Sequence, residues 1–169
     1  MNIGDVLAVV AGALAICGSA WALLVISAVV FGTRTQHAQG AIERHPWRTL
    51  GIGLFGVVVF GTLSVIMAAQ PLPLVKLVGT MMYLSLFAVA VVGGGGIAAM
   101  IGRRLQPMDS SMSPFQALTR GSGILVLAGL FPMLGWFVLA PLTLFMSLGA
   151  GIQALVAKPL APPIYNEVI

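Results

Sequence analysis

The residues able to do chemistry in this sequence are few and far apart. His37, Glu43 and His45 share one short polar segment, and imidazole and carboxylate are ligands that zinc accepts. A flexible, arginine-bearing loop is a poor cage for a cation, so these read as solvated loop residues and no metal site is assigned. Asp109-Ser110-Ser111-Met112-Ser113 offers hydroxyls but no nearby base, and a serine nucleophile needs one. Ser113-Pro114 has another use, as cap and first residue of a helix. Gly93-Gly94-Gly95-Gly96 lacks the Lys-Ser/Thr ending of a phosphate loop and lies in an apolar stretch. The single cysteine, Cys17, has no internal disulfide partner and reads as a small packing residue. No catalytic residue, metal ligand or cofactor-binding residue is assigned, and no enzyme activity is expected.

Those residues must be carried by elements of an unusual composition. The chain is 59% hydrophobic and 7% charged. A soluble domain usually has about 25% charged residues. A water-soluble fold of this length could not hide so much apolar side chain, so the expectation is an all-α, polytopic integral membrane helix bundle. A crossing needs about 20 apolar residues, which predicts crossings over 6–31, 50–69, 77–101, 114–130 and 136–157. Met1-Asn2-Ile3-Gly4-Asp5 lacks the positive region of a cleavable signal, so the first segment is read as a retained helix. Residues 32–49 are polar and read as a loop, as do 102–122. Gln70-Pro71-Leu72-Pro73 breaks the chain between the second and third crossings. Residues 1–158 thus form the bundle, and 159–169 an extended, proline-rich cytoplasmic tail.

The number of crossings depends on residues 124–157, which carry no charge. As one helix this run would rise about 50 Å, against a hydrocarbon core of about 30 Å. Pro132 and Gly135 predict a turn in the stretch 131–136, with Trp136 at the membrane interface. Five crossings put Arg34, Arg44, Arg48, Arg103, Arg104, Arg120 and Lys158 on one side and only Lys76 on the other. Four crossings, the alternative, would move Lys158 across. The positive-inside bias prefers five, with the amino end outside and the carboxyl end cytoplasmic. The net charge of +4 is spread along the chain, so it orients the protein and does not suggest nucleic acid.

No Asp, Glu, Lys, Arg or His lies inside the predicted crossings, apart from residues at the ends. Ion pumps and proton-coupled carriers need such groups near the midplane. The histidines lie in the first loop, so an axial ligand for haem or chlorophyll is missing too. No cofactor of its own is therefore expected, only bound lipid and contact with pigments of neighbouring subunits. Arg44, Trp47 and Arg48 suit the headgroup region. Small residues allow close helix contact: Gly93, Gly94, Gly95 and Gly96 in the third crossing, Gly51, Gly53, Gly56 and Gly61 in the second, and Ala11, Ala15, Gly18 and Ala22 in the first. They serve either packing within the bundle or contact with another subunit or lipid. In the tail, Pro159, Pro162 and Pro163 favour an extended strip, and Tyr165 and Ile169 are expected against a partner. The function expected is that of a non-catalytic accessory subunit of a larger membrane complex, of respiratory or photosynthetic type. Its partners are other integral membrane subunits and lipids, with no soluble substrate. A small passive channel or lipid transporter is the alternative, with only scattered hydroxyls such as Ser64, Thr80, Ser85 and Thr143 to line a path.

Five stretches occur together: "HPWRTLGIGL" (45–54), "GRRL" (102–105), "SPFQALTRG" (113–121), "FPMLGW" (131–136) and "LGAGIQALV" (148–156). In order and spacing, residues 45–157 resemble the polytopic membrane region attached to bacterial polymer-forming cytoskeletal proteins of the bactofilin type. The resemblance implies a bacterial inner-membrane location and an anchoring role, and it transfers no catalytic residue. The sequence departs from that pattern in having no β-solenoid domain and one extra helix, 6–31.

Overall fold

The structure is a computed structural model that describes residues 3–108 and 111–157. The described residues are helical, with no strand among them. Helix α1 spans Ile3–Val30 and α2 spans Gly32–Arg44. Next come α3 (Pro46–Gly56), a π-helical turn (Val57–Gly61) and α4 (Thr62–Ala68), which run on as one rod. Helix α5 spans Pro73–Leu105 and α6 spans Pro114–Gly129. A single turn, α7 (Pro132–Leu134), leads through a second π-helical turn (Gly135–Leu139) into α8 (Ala140–Val156). Four segments are long and apolar enough to cross a membrane: Gly4–Val30, Pro46–Ala68, Pro73–Met108 and Gly135–Val156.

Proline and serine set the helix starts. Pro46, Pro73, Pro114 and Pro132 each occupy the first turn of a helix, where a missing N–H costs nothing. Ser113 accepts a bond from the Gln116 N–H at 3.3 Å, while the Ser113 N–H donates to Gln116 Oε1 at 3.1 Å. That reciprocal pair fixes where α6 begins.

Residues 32–49, expected to be a loop, are helical. Polarity alone does not forbid a helix: Gly32–Arg44 buries Thr35, Ala38, Gln39 and Ile42 on one face. Their spacing is helical, Gln36 and Glu43 stay exposed, and His37 is half-buried with its Nε2 covered. The turn expected over 131–136 is tighter than that. The chain leaves helical geometry only at Leu130–Phe131, and Gly135 and Trp136 already belong to the next helix. Gly135 lies against the carbonyls of Ala128 and Gly129, so the chain doubles back on the end of α6. At 16 residues α6 is the shortest of the long apolar rods, and it rises about 24 Å.

The interior is built from small residues. Ala38, Ala98, Ala150 and Ala154 are fully buried, with Ile42 and Ile97 beside them. Large side chains such as Leu14, Phe55, Phe87 and Phe137 face outward. This distribution is compatible with membrane insertion, where close backbone packing rather than burial of bulk holds helices together.

Candidate functional site

Three helix crossings share one geometry. Where α5 meets α8, a methyl group added at Gly93 would overlap the carbonyl of Ser147, and one at Gly151 the carbonyl of Val89. Where α3 meets α8, Gly53 faces the carbonyl of Phe145 and Gly149 that of Thr49. Where α5 meets α6, Gly102 faces the carbonyl of Ala117 and Gly121 that of Ala98. In every case the carbonyl lies one turn before the glycine of the opposite helix. Two backbones touch only where neither has a side chain in the way, and the carbonyls reach the α-carbons as weak Cα–H···O acceptors.

The four consecutive glycines expected as packing or contact residues are all buried inside this chain. Successive helical residues step around the axis, so each meets a different neighbour. Gly93 meets α8, Gly94 meets Leu24, Gly95 meets Ser27 and Ala28, and Gly96 meets Ala38 and the backbone of Gln39. At this level α5 is enclosed by α1, α2 and α8, leaving no room there for lipid or pigment. Four of the five stretches singled out in the sequence, all but 131–136, contain residues of these contacts: Thr49 and Gly53, Gly102, Ala117 and Gly121, and Gly149 and Gly151. Those residue types are accounted for by packing.

Helix α1 is the exception. From Gly4 to Ala20 no residue is buried, and only Ala13, Cys17 and Ala20 are half-covered. Its small residues Gly4, Ala8, Ala11, Ala15 and Gly18 are all exposed. At about 3.6 residues per turn, that seam lies roughly opposite the half-covered stripe. An added methyl at Gly4, Gly12 or Gly18 would meet nothing within 4 Å. The carboxyl half of α1 does join the bundle. Trp21 Nε1 donates to the Thr119 carbonyl at 3.0 Å, and Ser27 Oγ donates to the carbonyls of Leu24 and Val91.

One end of the bundle carries the cations. Arg44, Trp47 and Arg48, expected at headgroups, are exposed where α2 ends and α3 begins. Arg34, counted from the sequence only as an orienting charge, reaches from α2 to the last turn of α8. Its Nη1 donates to the carbonyls of Ala154, Leu155 and Ala157 at 2.6, 3.2 and 3.4 Å. These are carbonyls a helix end leaves unpaired, and a cation there also suits the helix dipole. The half-buried Gln153 donates from Nε2 to Thr49 Oγ1 at 2.9 Å, tying α8 to α3 at the same end.

Between α2, α5 and α6 at this end lies a cavity of about 380 Å³. Thr35, Gln36, Gln39, Arg103 and Gln106 supply its polar lining, and none of the described acidic residues lines it. Thr35 is 3% exposed, and its Oγ1 has no hydrogen-bond partner. No three metal-ligating side chains gather among the described residues, and His37 and His45 form no such group with Glu43. Tyr165 and Ile169 lie outside the described residues.

No family model matches the chain, and neither a curated protein nor a solved structure matches it.

Proposed function

We propose that this protein is a non-catalytic accessory subunit of a larger integral membrane complex, docked on a partner helix through α1. The observation that carries this is the exposed seam Gly4, Ala8, Ala11, Ala15 and Gly18. In the other helices, Gly53 and Gly56 of the second crossing and Gly93–Gly96 of the third are enclosed within the chain. This one has the same character and no neighbour. In a membrane such a seam permits close backbone approach by a second helix.

In this reading the hairpin of α6 and α8 crosses the membrane twice, giving five crossings. The cation-rich end faces the cytoplasm of a bacterium and the amino end faces outward. The tail, with Tyr165 and Ile169, then lies on a partner's cytoplasmic surface. The bactofilin-type resemblance fits a chain whose membrane region is a packed anchor. The channel reading is disfavoured by the crossings, where backbones touch. The hydroxyls of Ser64, Thr80, Ser85 and Thr143 bond carbonyls of their own helices instead of facing a path.

Purification from native membranes in mild detergent, followed by mass spectrometry, tests the proposal. A partner subunit should co-purify in fixed ratio and be lost in Ala15→Leu or Gly18→Leu variants that insert and fold normally. A bare monomer from the wild-type chain contradicts it.

A further inference from the structure

We infer that the cavity between α2, α5 and α6 holds the phosphate headgroup of an anionic phospholipid. Its one cation among the described residues, Arg103, is exposed and is accompanied by three amide side chains, Gln36, Gln39 and Gln106. A guanidinium with amide donors is suited to a phosphodiester. The buried hydroxyl of Thr35 is the second observation. A buried donor without a partner is costly and is normally satisfied by something. Thr35 has spent its backbone N–H on the Phe31 carbonyl at 2.8 Å, and its hydroxyl remains free to donate. Gln39 gives one N–H to Glu43 Oε1 at 2.8 Å and keeps the other.

The source of the phosphate is lipid because of where the cavity lies. It opens at the cation-rich end, at the depth where α5 finishes and α6 starts. Ala28, Ala99 and Leu118 line its apolar part. A headgroup at Arg103 would thus continue into an apolar wall that can accept the first methylenes of its chains. Basic pockets between membrane helices at a cytoplasmic face are where anionic headgroups bind.

The test is native mass spectrometry of the full chain, released from nanodiscs containing phosphatidylglycerol or phosphatidylcholine. The wild-type protein should retain phosphatidylglycerol at least tenfold more than phosphatidylcholine. Arg103→Gln should abolish that preference and Thr35→Val should weaken it several-fold. Arg104→Gln should leave it intact, because Arg104 is exposed next door but does not line the cavity. Circular dichroism and thermal melting confirm that the variants fold. Three results would overturn the inference: equal retention of both lipids, equal loss in the Arg103 and Arg104 variants, or displacement of the lipid by millimolar inorganic phosphate. The last would make the site one for free phosphate.

Discussion

Gly93 of α5 and Gly151 of α8 face each other with nothing between the two backbones: the Ser147 carbonyl sits over the first and the Val89 carbonyl over the second. A single methyl at either position must push two helices apart. Gly93→Ala should therefore destabilise the bundle by about 1–3 kcal/mol, the range for overpacking a closed site. Gly12→Ala, with open space around it, should leave stability unchanged or raise it by about 0.5–1 kcal/mol through lower chain entropy. Thermal melting in detergent measures both. Equal effects of the two substitutions would remove the crossing from the account of stability.

Arg34 is the clasp between α2 and the end of α8. Its bonds to three carbonyls of the last turn are charge-assisted, and two of them are partly buried. Arg34→Ala should cost about 1.5–3 kcal/mol. It should also speed amide hydrogen exchange selectively at Ala154–Ala157, with α3 and α4 unchanged. Uniform acceleration across the bundle would mean that Arg34 does not act locally.

The doubling back at Leu130–Phe131 has a topological consequence. On a Cys17→Ala background, cysteines placed at Trp47 and at Phe131, both exposed, should label from opposite faces of the membrane. Labelling from one face would mean that α6 enters and leaves the same side, and only four crossings would remain.

Much of the architecture could be read from the residues because its determinants are local. Apolar length marks the long helices, and Pro73, Pro114 and Pro132 mark where rods begin. The capping box of Ser113 and Gln116 is contained within four residues. What could not be read depends on partners distant in sequence. Residues 32–44 look like a loop because their mean polarity is high, and only packing against α5 and α8 shows which face is buried. Gly93–Gly96 and the α1 seam have the same small-residue signature. Which is enclosed and which is open depends on three-dimensional neighbours. The Arg34 clasp joins residues 120 or more apart, so no local pattern encodes it. The cavity at Thr35 is lined from four helices, α1, α2, α5 and α6, and neither threonine nor glutamine there stands out in the sequence.

The most direct test of the accessory-subunit reading is photo-crosslinking in native membranes at two neighbouring positions of α1. A benzophenone side chain at Ala15 lies on the open seam, whereas one at Ala13 lies on the half-covered stripe. The account predicts that the Ala15 probe yields one discrete heavier species containing a single integral membrane protein, and that the Ala13 probe crosslinks within the chain. If the Ala15 probe captures only lipid and the protein stays at monomer mass, α1 has no partner helix and the account is wrong.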